Sequence, residues 1–527
     1  MNGAHALLAT LEANDVDVCF ANPGTSEMHF VAALDDAPAL RGVLCLFEGV
    51  ATGAADGFAR VKGSPAATLL HLGPGLANGW ANLHNARRAR VPLLNIVGDH
   101  ATYHARLDAP LQSNVQLLAD ALEGWYCRTT SSDDLASDAA RAIEASFGPP
   151  GRVATLVLPA DVSWGNVETV PSPWPRANRP TPHPFDEATF ERALAALRTK
   201  RCTLFLGGAA LLKEQLRLAE RVTSATSSRL MMETFATKID RGAGVTSPER
   251  LIYLSEFAVD QLKESEVIIL VGANEPVGFF AYPNVPSRLA PDGCEILHLA
   301  PPGSDTLGAL ESLVEALHAP VVAMAHVGRT APPSGELTAQ SFCAAVGATL
   351  PEGVIVVDES NTSGVHLFGA TRFAPEHQWM TLTGGAIGYG LPVALGAAVA
   401  SRGRVVALES DGSMMYTLQA LWTMAREGLD VTVVGLANRS YAVLNMELTR
   451  VGAARDGGAS ARMLELDDPA LNLSQLALAQ GVPSVRVTSA DELVAALERS
   501  YATPGPMFIE AVLPKGLHQV SVRRGVR

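Results

Sequence analysis

The chain has 527 residues, 48% hydrophobic and 18% charged, with 40 basic against 54 acidic side chains and a net charge of −14. That length exceeds one ordinary domain and predicts three or four globular units with ample core; the acidic balance argues against a nucleic-acid partner, the Arg87-Arg88-Ala89-Arg90 cluster being short and suited to a solvated or phosphate-neutralising role. Six scattered cysteines without a CxxC or zinc spacing, no charged-then-apolar leader and no apolar run of about 18 residues predict a soluble cytoplasmic protein with buried free thiols and no membrane partner.

Taken in order, Ala4 to Leu11 reads as a helix and Val16 to Phe20 as a short apolar strand that runs into Asn22-Pro23-Gly24-Thr25, with a helix from about Ser26. Val43 to Phe47 predicts a buried strand closing on Glu48, followed by a small-residue helix from Gly49 to Arg60 that lets a neighbouring backbone approach closely. Ala66 to Leu70 and Leu93 to Val97 are further strands, running into His71-Leu72-Gly73-Pro74-Gly75 and Gly98-Asp99-His100. Val153 to Pro159 is the last strand of this unit. Short apolar strands alternating with helices predict an α/β unit with a largely parallel sheet, where ligands bind beyond the carboxyl ends of the strands. Glu48, His71, Asp99 and His100 all fall at such ends.

The proline-dense stretch from Pro171 to Pro184 predicts a linker. A second unit holds strands at Cys202–Leu206, Leu230–Met232, Val267–Val271 and Glu295–Leu299, and a third begins after the Arg329–Gly335 stretch. The predicted domains are residues 1–170, 185–325 and 336–520, with a mobile basic tail from Val520.

In the third unit the apolar run Val405–Leu408 leads into Glu409-Ser410-Asp411-Gly412-Ser413, then a helical pattern through Leu418, Leu421, Trp422 and Ala425. A second run, Val431–Leu436, leads to Asn438-Arg439-Ser440-Tyr441. This is strand, acidic turn, helix, strand, with an amide at the tip. Such a set suits a hard divalent cation. Mg²⁺ takes oxygen ligands, commonly one or two carboxylates together with substrate phosphates. Asp411 would give a carboxylate, Asn438 a side-chain carbonyl and Ser440 a backbone carbonyl, while the turn at Gly412-Ser413 offers N–H groups to a phosphate.

The Asp411…Asn438 pair, 27 residues apart, resembles the thiamine-diphosphate (ThDP) binding motif, Gly-Asp-Gly followed some two dozen residues later by Asn, with Ser410 in place of the first Gly. Together with Glu48 and the Gly385–Pro392 stretch, it makes the chain similar over nearly its whole length to ThDP-dependent 2-oxo-acid decarboxylases and carboligases. Within that family it most resembles acetolactate-synthase-like large-subunit homologues (IlvX type) and benzoylformate decarboxylase. The resemblance implies a fold of three open, largely parallel-sheet α/β domains in the order pyrimidine-binding, middle and diphosphate-binding.

It also implies roles. Glu48 matches the catalytic glutamate that hydrogen-bonds N1′ of the aminopyrimidine, and His71 a catalytic histidine, a group able to move protons near neutral pH. Asn22 and Thr25, on one loop, would contact the cofactor, Thr25 standing at a substrate-binding serine, and Gln112, close to an active-site glutamine, would be catalytic. Gly385, Ala386 and Ile387 match the stretch that bends the cofactor, with Ile387 between its rings. Asn361, Thr362, Gly412, Ser413 and Tyr441 would contact the diphosphate, and Asp411, Asn438 and Ser440 the Mg²⁺. The expected activity is decarboxylation of a small 2-oxo acid, the product leaving as an aldehyde or joining a second carbonyl compound. FAD is not expected, since Gly207-Gly208 and Gly272 form no GxGxxG fingerprint. The site is expected between two subunits, in a homodimer or a dimer of dimers.

Three departures keep rival readings open. Phe279-Phe280 occupy the place of the second histidine of benzoylformate decarboxylase, the acetolactate-synthase tryptophan has no counterpart near Asn445-Met446-Glu447, and His100 and His104 match neither subfamily. They favour a regulatory, inactive paralogue or an unfamiliar substrate. Plain benzoylformate-type decarboxylation is a further alternative. Retention of Glu48, His71, Asp411 and Asn438 favours an enzyme.

Overall fold

The computed structural model describes residues 1–323, 328–453 and 458–515; the predicted tail from Val520 lies outside them. Three sheets organise the chain. The first contains β1 (Val18–Ala21), β2 (Arg41–Leu44), β3 (Ala67–His71), β4 (Leu93–Asp99), β5 (Trp125–Arg128) and β6 (Val153–Pro159), ordered β2-β1-β3-β4-β6-β5 and parallel throughout. The second contains β7 (Cys202–Leu206), β8 (Arg229–Met232), β10 (Glu249–Arg250), β11 (Val267–Val271) and β12 (Glu295–Ala300), ordered β10-β8-β7-β11-β12 and also parallel. The third takes β9 (Ile239–Arg241) from the middle of the chain. It adds β13 (Ile355–Glu359), β14 (His377–Thr381), β15 (Val405–Ser410), β16 (Val431–Ala437), β17 (Ser484–Val487) and β18 (Met507–Val512), ordered β17-β18-β16-β15-β13-β14-β9.

Among the strands of the described residues only β9, against β14, is antiparallel. The fully apolar strands Val267–Val271 and Val405–Leu408 are buried on both faces, as parallel strands covered by helices must be. One strand and one helix depart from their expected bounds. β2 stops at Leu44, and Cys45–Phe47 form the turn that places Glu48 at the start of a helix, Glu48–Lys62. The helix expected from Ser26 is preceded by a single tight turn, Thr25–Glu27.

The first and third sheets share one hydrophobic core, running from Val18 and Phe20 through the Glu48–Lys62 helix to the Gly390–Ser401 helix and on to Val431. Those two helices touch backbone to backbone. A side chain at Gly57 would overlap the Val393 carbonyl and one at Gly396 the Ala54 carbonyl, so the small residues of the Gly49–Arg60 segment serve helix packing. A buried ion pair locks the contact. The Arg60 guanidinium bonds both oxygens of Asp56, at 2.8 and 2.9 Å, and reaches across to the Thr381 carbonyl and the Tyr389 hydroxyl. The six cysteines are free, all but Cys127 buried, and burial pushes the Cys19 thiol up to about 12.

Candidate active site

The carboxyl ends of β1, β2 and β3 bring one polar group together. Glu48 is buried at the start of its helix, where the N-terminal end of the helix dipole favours a carboxylate, and its Oε2 accepts from Asn78 Nδ2 at 3.0 Å. His71, at the end of β3, lies on the other side of Gly75. A methyl group placed on that glycine would sit 3.3 Å from Glu48 Oε1 and 3.4 Å from His71 Cβ.

The imidazole is held by Glu27, which is wholly buried. Glu27 Oε2 lies 2.8 Å from His71 Nδ1 and accepts the Gly24 N–H at 2.7 Å, while Oε1 accepts the Ser26 hydroxyl at 2.5 Å. A carboxylate on Nδ1 sets that nitrogen as the proton donor and leaves Nε2 to take or give a proton. Glu27 escaped the sequence reading. Its one signal is its spacing, three residues after Gly24, which lets a side chain return to the N–H that opens a helical turn.

Asn22 and Thr25 lie on this same loop, Thr25 exposed and Asn22 half-buried. Gln112 comes from the loop after β4. The adjoining Ser113 packs on Gly73, beside His71, and Gln112 Oε1 is buried without a hydrogen-bond partner among the described residues. Gln112, Ser113, Tyr126 and Arg128 line a cavity of about 380 Å³. Asp99 is a structural anchor, paired with Arg128 and accepting the His100 N–H at 2.7 Å. The His100 and His104 rings sit 5.3 Å apart, with His100 Nε2 buried and unpartnered.

A second group forms at the ends of β13, β15 and β16. Asp411 is buried; its Oδ2 accepts the Arg439 N–H at 2.6 Å and its Oδ1 the Gly412 N–H at 2.9 Å. The chain reaches that position through Arg439 in a left-handed conformation, φ 58°. Asn438 Oδ1 accepts the Ser440 N–H at 3.0 Å, so the carboxylate, the amide oxygen and the Ser440 backbone converge on one turn. These are hard oxygen donors of the kind Mg²⁺ takes. Burial raises Asp411 to about 6 although the Arg439 and Gly412 N–H groups oppose it, so its charged form would gain from a cation.

Asn361, also left-handed at φ 49°, donates to Ser410 Oγ and Ser413 Oγ, both at 3.0 Å. Ser410 Oγ in turn donates to the Glu359 carbonyl at 3.0 Å. The serine standing in place of glycine thus ties β15 to β13. Thr362 follows Asn361 in the Asn361–Gly364 turn, and the Tyr441 ring covers Gly412.

The Gly384–Gly390 loop is gripped from both sides. Glu359 accepts the Gly388 N–H at 2.8 Å and the Gly390 N–H at 2.6 Å. Its register partner on β15 is Glu409, buried with neither oxygen hydrogen-bonded among the described residues. Burial raises both acids; the Glu359 charge pushes Glu409 further up, and the Asp358 charge pushes both the same way. From the opposite side Asn85 bonds both the N–H and the carbonyl of Ala386, and His84 Nε2 lies 3.1 Å from the Gly384 carbonyl. Gly385, at φ 80°, is covered by Phe279, whose ring would lie 2.6 Å from any added Cβ. Phe279 belongs to a cluster with Phe235, Tyr253 and Phe280, ring centres 5.2–5.7 Å from its own. Half-buried Ile387 packs against the shared core.

Residues 1–122 match the family described as "Thiamine pyrophosphate enzyme, N-terminal TPP binding domain", and residues 362–511 match the corresponding C-terminal TPP binding domain. The chain is 50% identical over 518 residues, 98% of its own length and 99% of the relative's, to the "Putative acetolactate synthase large subunit IlvX" of Mycobacterium tuberculosis. The chain belongs to the thiamine-pyrophosphate enzyme family. It is 27% identical to the benzoylformate decarboxylase of Pseudomonas aeruginosa, covering 95% of this chain and 96% of that one. Among solved structures, the thiamine diphosphate-dependent 4-hydroxybenzoylformate decarboxylase of Rhodococcus jostii RHA1 superposes with a TM-score of 0.85 at 20% identity, over 98% of this chain and all of that one, a likeness of fold. As a member of this family the chain is a ThDP-dependent enzyme of the acetolactate synthase and benzoylformate decarboxylase type. No helix of the described residues is long and apolar enough to cross a membrane.

Proposed function

We propose that this enzyme binds ThDP through Mg²⁺ and decarboxylates a small 2-oxo acid bearing an apolar side chain. The observation that carries the reading is the placement of Glu48 and the Glu27-held His71 around one glycine, a carboxylate and a proton-moving imidazole on one sheet edge. When bound, ThDP supplies a nucleophilic carbon and an electron sink for the charge left by departing CO₂.

The chain's own residues do the rest. Glu48 would hold a proton at N1′ of the aminopyrimidine, and His71 Nε2 would serve the substrate oxygen. Asp411, Asn438 and the Ser440 carbonyl would hold Mg²⁺; Asn361, Thr362, Gly412, Ser413 and Tyr441 would hold the diphosphate. Glu359 and Asn85 set the height of the Gly385–Ile387 stretch against the cofactor rings. Phe279 and Phe280 offer an apolar wall beside that stretch in place of a second proton donor, which favours an apolar substrate side chain and leaves His71 as the main proton carrier.

A second outcome, attack on another carbonyl compound to give an acyloin, is favoured by Gln112, whose buried and unpartnered Oε1 can accept a hydrogen bond from an acceptor molecule. An inactive regulatory paralogue would have no use for the buried Glu27–His71 pairing. By its family, the Glu48 and Asp411 groups would meet in a site completed by a second copy of the chain, in a homodimer or dimer of dimers.

The test is product analysis. The protein, with Mg²⁺ and ThDP, is offered pyruvate, 2-oxobutyrate, benzoylformate and glyoxylate, with and without an aldehyde. CO₂ with free aldehyde supports decarboxylation, and CO₂ with an acyloin supports ligation. Silence across the panel with ThDP demonstrably bound would overturn the proposal.

A further inference from the structure

Four arginines surround one cavity on the side of the first sheet away from Glu48. The helix Leu72–Ala89 ends in Arg87 and Arg88 and is capped by Arg90. Arg152 enters from the loop that leads into β6, and a cavity of about 270 Å³ lies between them, walled by Pro150, Gly151 and Glu123. Residues 90–92 lead into the amino end of β4, and residues 148–152 into that of β6. The Glu48 and His71 groups lie at the carboxyl ends. Seven residues of β4 separate the two edges by roughly 20 Å, at about 3.3 Å per residue.

A helix C-terminus attracts basic side chains, which accounts for Arg87 and Arg88. It does not account for Arg152, which comes from another segment. Nor are the charges balanced. Arg87 pairs with the exposed Glu123, and Arg90 donates to Asn274 Oδ1 at 2.9 Å. Among the described residues Arg88 and Arg152 have no carboxylate partner, and both are exposed to the cavity mouth. Burial lowers Arg90, and Arg88 pushes it the same way, against the pull of Glu233. In a chain of net charge −14 this is a concentration of mutually repelling cations that a ligand of opposite sign would relieve.

The cavity also lies on a seam. Arg90 reaches Asn274 beyond β11, the Ala89 carbonyl accepts from Thr237, and Gly303, beyond β12, packs on Pro150. A bound ligand would therefore touch the ground between the first and second sheets. The guanidinium fork matches phosphate oxygens two at a time, and Arg88 and Arg152, lining the same cavity as Arg90, suit a group carrying more than one negative charge.

We propose that this arginine-lined cavity binds a diphosphate anion, free or as the diphosphate of a nucleotide, at a site separate from the cofactor. The experiment is calorimetry on the enzyme already saturated with ThDP and Mg²⁺, titrated with inorganic pyrophosphate and with ADP, alongside orthophosphate and AMP. The near-ultraviolet dichroism of the bound cofactor is followed throughout. The wild type is expected to bind one pyrophosphate or ADP per chain without loss of the cofactor signal, and more tightly than orthophosphate or AMP. The exposed-residue double variant Arg88→Ala/Arg152→Ala should bind at least tenfold more weakly, with unchanged turnover and melting temperature. Equal affinity for pyrophosphate and ADP would point to an inorganic source, and tighter ADP binding to a nucleotide. No saturable binding to the loaded wild type, binding that displaces ThDP, or undiminished affinity in the double variant would each overturn the proposal.

Discussion

The two halves of the candidate site are built on opposite plans. Around Glu48 the polar side chains bond one another, Asn78 to Glu48, Ser26 to Glu27 and Glu27 to His71, so hydrogen positions can change while the backbone stays fixed. Around Asp411 the acids are spent on backbone. Asp411 takes two N–H groups, Glu359 takes two more, and the left-handed Asn361 and Arg439 shape the turns that make this possible. The first arrangement suits proton movement and the second suits holding an anion and a cation at a fixed place. We propose that the first edge carries the chemistry and the second the anchorage, so that damage to each edge is read out in a different quantity.

The largest effect is expected from Glu48→Gln. Turnover should fall by about 10²–10⁴-fold, the range of a lost proton-transfer group, while ThDP binding measured by calorimetry stays within a factor of a few. Equal losses in binding and turnover would erase the distinction between the halves. Asp411→Asn should do the reverse, weakening Mg²⁺-dependent ThDP binding by about 100-fold or more, as expected when a metal site loses its one carboxylate. Binding unaffected by this change, or by removal of Mg²⁺ with a chelator, would contradict the anchoring role.

Glu27→Gln tests the imidazole. A buried amide cannot accept from Gly24, Ser26 and His71 as the carboxylate does, so His71 loses its fixed tautomer. Turnover should drop by about tenfold or more and the acid limb of its pH profile should move, with ThDP affinity unchanged. An unshifted profile would make Glu27 a purely structural acid.

A smaller effect follows from pH. Asp411, raised to about 6, must be ionised to bind the metal, so Mg²⁺–ThDP affinity should fall as pH drops through 6, by about tenfold per unit below it. In the cofactor-free chain the sign reverses. Glu359 and Glu409 are raised by burial, so the folded state holds a proton that the unfolded chain has lost. Stability should therefore rise as pH is lowered from 8 to 6.5, before neutral His377, lowered to about 4 by burial, begins to oppose it below 6.5. A melting temperature that falls over that interval would show the acid pair to be ionised.

The first sheet was legible wherever apolar residues came in runs, since β1, β3, β4 and β6 are buried on both faces. β5 was not, because Trp125–Arg128 is a half-buried edge strand with no such run. β9 was not either. It is three residues long and its partner, β14, lies more than a hundred residues away, which pulls a piece of the predicted middle unit into the third sheet. At the candidate site, the spacing of Asp411 and Asn438 pointed to the turn they share, and the position of Glu48 after an apolar run to the polar group at the carboxyl ends of the first sheet. Glu27, Glu359 and Glu409 stayed hidden because their partners are backbone N–H groups, buried neighbours or a histidine 44 positions away, none of which marks the sequence. Phe279 was noticed as a missing histidine, but its place over Gly385 needed the fold.

We propose that the Glu48 and Asp411 edges meet in one site, each supplied by a different chain of a dimer. Mixing Glu48→Gln and Asp411→Asn subunits under conditions of exchange tests this directly. If the edges come from different chains, each mixed dimer contains one intact site. Random pairing should then restore about a quarter of wild-type turnover from two inactive parents. If Glu48 and Asp411 serve the same site within a single chain, every site in the mixture lacks one of them, and turnover that stays at the level of the parents would contradict the account.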